Sequence, residues 1–255
     1  GLDSQVRIGK KSIDGHFNVS NLPFAIADLS LIFSTNTSFE YDFETGPEIV
    51  VKSLDIEKTD ATSTVNPKLS LSGSGTKYGA QLTSISYADK YSSLTGGGDI
   101  TININDGIFT SAGLSISMKN MFSEEKILID LSASNPDLKP LNGDTFMNSV
   151  YITSQVQISH FGLSRFTSVK NDNNELSASI NFTGTLEHPS VFLTVSKISM
   201  LLNKDLINIS GNAILEDRLV SVSDFEFRHT DFEVTGLSGS MDLDNFDGSF
   251  SALFA

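Results

Sequence analysis

The feature that most constrains this sequence is the alternation of apolar and polar residues at period two through most of its length. Ile100–Ile104 alternates at every position, and Leu114, Ile116 and Met118 are separated by single serines. This period is typical of strands that have one apolar side and one solvated side. The polar positions are mostly Ser, Thr, Asn and Asp. The pattern therefore predicts an all-β chain.

Turn-forming residues separate the alternating runs at intervals of roughly ten residues, a spacing typical of all-β folds. The predicted turns are Asn105–Gly107, Asn135–Asp137, Asn142–Gly143, Lys170–Asn174 and Asn245–Gly248. Signals for helix are few. We expect a helical turn or two only at Ser196–Leu206 and Thr145–Tyr151.

Two long blocks of the chain resemble each other. Leu69–Asn103 and Ile207–Asp244 each begin with alternating strands, continue through a strand-rich middle to a Thr-Gly pair, and step through small residues into another alternating strand. Ser177–Thr185 resembles a third, partial copy. Repeats of this length predict stacked units. We therefore expect one elongated, curled β-groove fragment of a longer protein over residues 1–255, divisible into sub-units 1–135 and 136–255.

Charge and composition exclude several classes of function. The formal net charge is -14, and a surface this acidic repels phosphate backbones, so no nucleic-acid partner is expected. The absence of cysteine excludes disulfides, thiol catalysis and thiolate metal sites. No apolar run approaches the roughly 20 residues of a membrane-spanning helix.

Residue types that carry chemistry are present, but not in catalytic patterns. His16, His160, His188 and His229 lack metal-ligand spacing, and Gly96–Gly98 lacks the lysine and helix of a phosphate loop. Acidic pairs such as Asp242 and Asp244 at alternate strand positions are usually only solvated. The sequence predicts no enzyme activity, no metal site and no cofactor.

Ile180–Pro189, with its Gly-Thr-Leu step before His188-Pro189, resembles the TamB family of the AsmA-like group. Ile209–Ala213, Leu215–Phe225 and Thr235–Leu243 fit the same pattern, so the resemblance covers about the last third of the chain. It implies a tightly curled sheet, a β-taco, with an apolar interior that conducts phospholipids. It also implies the periplasm of a diderm bacterium, an anchor in the inner membrane, and an outer-membrane assembly barrel as partner.

The apolar phase of the strands predicts the residues that would line a groove for phospholipid acyl chains. These residues are Leu69, Leu71, Ile100, Ile102, Ile104, Leu114, Ile116, Met118, Ile127, Ile129, Leu131, Ile180, Phe182, Ile207, Ile209, Ala213, Leu215, Val220, Val222, Phe225, Phe227, Phe232, Val234, Met241, Leu243, Phe250 and Phe254.

Two other classes of protein share the alternation. An outer-membrane barrel also alternates, but the chain has no Trp and only 5 Tyr for aromatic girdles. A β-sandwich or β-solenoid that serves interaction or adhesion, without a lipid conduit, would bury the same residues as an ordinary core and stays open as an alternative.

Overall fold

The computed structural model describes residues 1–26, 29–44, 46–58, 68–89, 93–138, 140, 143–163, 174–202 and 205–254. In these ranges it contains sixteen strands and one short helix. The strands of the first half are β1 (Leu2–Ile8), β2 (Ser12–Ile26), β3 (Leu29–Asp42), β4 (Gly46–Lys58), β5 (Lys68–Thr76), β6 (Gly79–Ala88), β7 (Ser93–Asn105) and β8 (Ile108–Asn120). The second half contains β9 (Lys126–Ser134), α1 (Gly143–Ser149), β10 (Tyr151–Gly162), β11 (Glu175–Gly184), β12 (Pro189–Leu202), β13 (Asp205–Glu216), β14 (Leu219–Arg228), β15 (Glu233–Asp242) and β16 (Gly248–Phe254).

The strands form one sheet whose order is the order of the chain, from β1 to β16, which are its two edges. Neighbouring strands run antiparallel, as in the hairpin of β5 and β6, where Leu71 lies opposite Ile85. Cross-strand pairs of hydroxyl groups support the polar side, for example Ser132 with Thr153 at 3.0 Å. The predicted all-β fold of repeated strands is confirmed.

Several of the predicted turns are confirmed. Asp106 and Gly107 both have positive φ, of 49° and 79°, as the type I′ turn of a tight hairpin requires. The turn at Asn135–Asp137 lies between β9 and α1, and the turn at Asn245–Gly248 leads from β15 into β16. Of the other two, Lys170–Asn174 lies mostly outside the described residues, and so does the first residue of Asn142–Gly143.

One of the two helical predictions is confirmed and the other is wrong. Helix α1 covers most of Thr145–Tyr151, whereas the described residues of Ser196–Leu206 lie in β12 and β13. The three-residue spacing of Val195 and Ile198 imitates a helical period, but it comes from a bulge in β12, where these residues pair with Gly211 and Ile209.

The chain divides into two compact units. Unit 1 comprises Gly1–Ile104 and Ala112–Ser123, and unit 2 comprises Asn105–Ser111 and Glu124–Ala255.

Few apolar side chains are fully buried in the described residues. Four of them, Val19, Ile85, Leu94 and Met118, belong to unit 1, and Val150, which follows α1, belongs to unit 2. None of the apolar residues on the described strands of unit 2 is among them. The apolar side of this sheet is therefore not packed as a closed core is, where most such side chains lose all contact with water.

Candidate functional site: an apolar face in each unit

The apolar residues of unit 1 share one side of the sheet. Because residues directly opposite each other on antiparallel strands point to the same side, the register can be followed from strand to strand. One row runs from Leu54 through Leu71 and Ile85 to Gly96. A parallel row runs through Ile56, Leu69, Tyr87 and Leu94. We call this side the unit 1 face.

Unit 2 has a corresponding side, the unit 2 face. One of its rows passes through Ile129, Val156, Ile180, Leu193 and Ala213. It continues to Val222 and Gly239. The unit 2 face is therefore apolar from β9 to β15 without a charged residue in this row.

The predicted groove residues of unit 1 lie on the unit 1 face. Those of β5 and β7 are Leu69, Leu71, Ile100, Ile102 and Ile104. Those of β8 are Leu114, Ile116 and Met118, which alternate along the strand, and a Cβ at Gly98 would lie 3.1 Å from Ile116 Cγ1. On β7, Ile100 lies opposite Ala80, and the alternation continues through Ile102 to Ile104.

The predicted residues of unit 2 that lie in strands share the unit 2 face. They are Ile127, Ile129, Leu131, Ile180, Phe182, Ile207, Ile209, Ala213, Leu215, Val220, Val222, Phe225, Phe227, Val234, Met241, Phe250 and Phe254. Phe232 and Leu243 lie outside the strands. The Phe232 ring stacks on Phe227, with ring centroids 5.5 Å apart, and the Leu243 amide donates to the Arg218 carbonyl.

Residues that the alternation did not assign to a groove also lie on these faces. In unit 1 they include Phe17, Phe24, Phe33, Phe39, Ile49 and Val51, and in unit 2 Val156, Ile158, Leu176, Leu193 and Val195. Some of these residues could have been found from apolar pairs three residues apart in the sequence, such as Val51 and Leu54. In such a pair, one extra residue interrupts the period of two.

These three-residue intervals are β-bulges that recur through the sheet. They separate Val19 from Leu22, Leu82 from Ile85, Ile158 from Phe161, Val195 from Ile198 and Val222 from Phe225. Each bulge bends its strand and adds one residue, so the apolar side chains before and after it stay on the same face. Bulges are the usual means of curving a sheet.

Two of the bulges are held by the same contact, one in each unit. Asn21 and His160 have positive φ, 53° and 50°, which costs energy for any residue other than glycine. The Asn21 amide donates to Ser34 Oγ at 3.0 Å, and the His160 amide donates to Ser177 Oγ at 2.9 Å. A serine on the next strand thus satisfies an amide that the bulge removes from the ladder.

Many apolar side chains on these faces remain accessible to water. Ile180 is 39% exposed and Leu131 37%, although both lie inside the sheet rather than at its edges. At β16, Phe250 is 54% exposed. Contiguous apolar surface of more than a few hundred Å² is uncommon on soluble proteins unless something binds it.

A hollow of about 430 Å³ interrupts the unit 1 face between β4 and β7. Gly73 and Gly75 of β5 line it together with Ala80 of β6 and Lys77 of the turn between these strands. Its other apolar lining is Pro47, Ile49, Val51, Leu54, Leu71, Leu82, Ile100 and Ile102. A volume of this size is within the range of small-molecule sites.

The opposite, polar side of unit 2 holds a cluster of ionisable side chains beside the bulges. Lys197 Nζ lies 2.7 Å from Glu175 Oε1, and His160 Nδ1 lies 3.6 Å from Glu175 Oε2. The hydrogen bond from Lys197 holds the pKa of Glu175 below its ordinary value, against the opposing effect of partial burial. This cluster lies on the solvated side, away from the apolar face.

Each of the other histidines lies near a carboxylate. His16 lies 3.8 Å from Asp3, His188 lies 3.4 Å from Asp217, and His229 lies 3.8 Å from Asp205. Among the described residues, no group of three His, Cys, Asp or Glu side chains could hold a metal ion. None of the helices in the described ranges has the length and apolarity needed to cross a membrane.

Comparison with known proteins identifies no relative: no family model, no curated protein and no solved structure matches this chain.

Proposed function

We propose that this chain is a non-catalytic segment that shields phospholipid acyl chains during their transport between the inner and outer membranes, in support of outer-membrane biogenesis. The observation that carries the proposal is that each unit keeps its apolar strand residues on one face and leaves many of them half-exposed. Ile102 and Ile180, for example, are 38% and 39% exposed.

The energetics of the faces support a hydrocarbon occupant. Moving one methylene from water into an apolar environment contributes about 0.8 kcal/mol. A charged or polar ligand would gain nothing from a row such as Val156, Ile180 and Leu193, because that row offers no hydrogen-bonding side chain. An acyl chain needs none.

The identity of the lipid and the location rest on the resemblance of Ile180–Pro189 and the following segments to the TamB family. On that basis we propose the periplasm of a diderm bacterium, a parent protein anchored in the inner membrane, and an outer-membrane assembly barrel as partner. In both units, a serine on the next strand accepts a hydrogen bond from an amide in a bulge, which agrees with a sheet built from similar repeats.

The test is a photo-crosslinking scan of the soluble chain with phosphatidylethanolamine and phosphatidylglycerol vesicles. A photoreactive residue is placed singly through 100–104 and 207–215, and lipid adducts are identified by mass spectrometry. We expect adducts at 100, 102 and 104 and at 207, 209, 213 and 215, because these positions lie on the two faces.

The matched controls are the polar positions 101, 103, 208 and 210 of the same strands, which should give no adduct. Gly211 is left out because Phe225 covers it; a Cβ there would lie 2.9 Å from Phe225 Cδ2. Labelling without a two-residue period would contradict the proposal. A complete absence of adducts would favour an interaction domain without a lipid conduit.

A further inference from the structure

Glycines on the apolar faces differ in whether an aromatic ring lies over them. At three of them, a phenylalanine ring lies over the glycine: a Cβ at Gly15 would lie 2.7 Å from Phe39 Cε1, and one at Gly239 would lie 2.6 Å from Phe250 Cδ1. The third is Gly211, under Phe225. In the first two pairs, the ring stands directly opposite the glycine on the next strand. Such rings fill the space that the missing side chain leaves.

Gly75, in the hollow of unit 1, has no such ring over it. Gly75 lies directly opposite Ala80, so the position where a ring stands elsewhere carries a methyl group. An added Cβ at Gly75 would find the Ala80 methyl as its nearest neighbour, at 3.1 Å. No aromatic residue is among the described residues that line the hollow. The space is therefore left open, although the same sheet fills it elsewhere.

The lining of the hollow includes one cationic side chain, Lys77. Lys77 Nζ lies 4.9 Å from the centroid of the Tyr78 ring, and none of the described carboxylates pairs with it. In a chain of formal net charge -14, an ammonium group without an ion-pair partner beside an apolar hollow is complementary to an anion attached to a hydrocarbon.

The size of the hollow limits the hydrocarbon. If one water-sized group takes about 30 Å³, a volume of 430 Å³ holds about 14 such groups. This is the size of a single twelve-carbon chain with its carboxylate, and a diacyl lipid is more than twice as large.

We propose that the hollow between β4 and β7 binds a single-chain fatty acid, with the chain over Gly73, Gly75 and Ala80 and the carboxylate at Lys77. The inference deepens the proposed function, because it rests on the same apolar face, but it assigns a discrete site and a different ligand class. The hollow would hold a free fatty acid where the rest of the face takes acyl chains of phospholipids.

The test measures dissociation constants for laurate and for dodecyltrimethylammonium by titration calorimetry with the full chain. We expect laurate to bind more tightly than dodecyltrimethylammonium, although the net negative charge of the protein attracts the cationic amphiphile. Lys77→Met should weaken laurate about threefold to fivefold, as loss of one exposed charge interaction does, and leave dodecyltrimethylammonium unchanged or tighter. Equal or tighter binding of the cation by the unaltered chain would overturn the assignment of the head group.

The Ala80→Phe variant tests where the hydrocarbon chain of the fatty acid lies. The new ring would stand opposite Gly75 as Phe39 stands opposite Gly15, so the variant should fold with an unchanged or higher Tm and lose at least tenfold in laurate affinity. Ser84→Phe, on the polar side of the same strand, is the matched control and should change the affinity less than twofold. Laurate affinity that survives Ala80→Phe in a folded variant would overturn the site.

The two proposals fail separately. If laurate does not bind while phospholipid adducts keep their two-residue period, the fatty-acid site is wrong and the proposed function stands. If laurate binds in an Ala80-dependent manner while no phospholipid adduct forms, the hollow is a fatty-acid site and the transport proposal is wrong.

Discussion

At the scale of single residues, the structure depends on a few polar contacts beside the bulges. Ser34 and Ser177 each accept a hydrogen bond from an amide at positive φ, and each stands on the strand that follows the bulge. A hydrogen bond of this kind contributes about 1 kcal/mol net, and its loss leaves an amide without a partner in the ladder. Ser34 and Ser177 therefore stabilise the bulges, a role that their position on the polar side does not indicate.

The Lys197→Met variant tests how much the pair of Lys197 and Glu175 stabilises unit 2, through the pH dependence of the free energy of unfolding. Because Lys197 lowers the folded-state pKa of Glu175, the pair stabilises the fold at pH above the ordinary value of 4.5. That contribution is lost as the pH falls through the lowered pKa, since both states then carry a protonated carboxyl. We expect the variant to be about 0.5 kcal/mol less stable at pH 7 and equal to the unaltered chain at the acid end.

The measurement is urea unfolding of both proteins at a series of pH values. Lys119→Met, which alters an exposed lysine of β8, is the control and should show no such convergence. A stability difference that is constant with pH would show that Lys197 acts through packing rather than through its charge.

At the scale of the element, several of the strands consist of two short alternating runs joined by a bulge. In β14 the runs end at Val222 and begin again at Phe225, and Asp224 between them has a φ of 52°. The bulge keeps both runs on one face while it bends the strand. If the same sequence continued as a regular strand without a bulge, its second run would point toward the solvent.

Ile209→Asp and Asn208→Asp compare the two sides of β13. Ile209 pairs with Ile198 and Phe227 on the unit 2 face, whereas Asn208 pairs with Ser199 and lies opposite Arg228. A carboxylate at 209 enters an apolar row, so we expect a loss of about 2 kcal/mol in the free energy of unfolding and loss of lipid adducts. At 208 the change should remain within about 0.5 kcal/mol and leave the adducts intact.

Denaturant unfolding and the vesicle crosslinking assay, applied to both variants, provide the readout. The comparison is internal, because the two substitutions introduce the same group at adjacent positions of one strand. Equal loss of lipid adducts in both folded variants would contradict the assignment of the faces.

At the scale of the whole molecule, both units have the same organisation: consecutive antiparallel strands with an apolar side and a polar side. In each unit the accessible apolar residues lie on more than one strand: Val6 is 60% exposed and Ile104 57% in unit 1, and Ile180 is 39% exposed and Phe254 79% in unit 2. A binding surface of this kind suits a ligand that can occupy many equivalent positions.

Native mass spectrometry of the purified chain tests whether the apolar faces retain phospholipid. We expect adducts with the masses of diacyl phospholipids, because each buried methylene favours retention by about 0.8 kcal/mol. Chain refolded from denaturant without lipid should lack the adducts and regain them after exposure to vesicles. If refolded chain takes up no phospholipid although it regains its far-UV circular dichroism spectrum, shielding of acyl chains is excluded as its function.

The sequence by itself determined the strands, most of the turns and the apolar phase within each run. Period two is a local property: Ile100, Ile102 and Ile104 point to one side whatever their neighbours are. For the same reason, the residues chosen from alternation within strands lie on one face of their unit once the register is known.

Only the tertiary structure decided how the runs join across a bulge, because the extra residue is stable only against a specific neighbouring strand. The spacing of Val195 and Ile198 is compatible with a helix until pairing with Gly211 and Ile209 makes it a bulge. The hollow over Gly75 likewise depends on which residue stands opposite, and register is a property of two strands that neither strand's sequence contains alone.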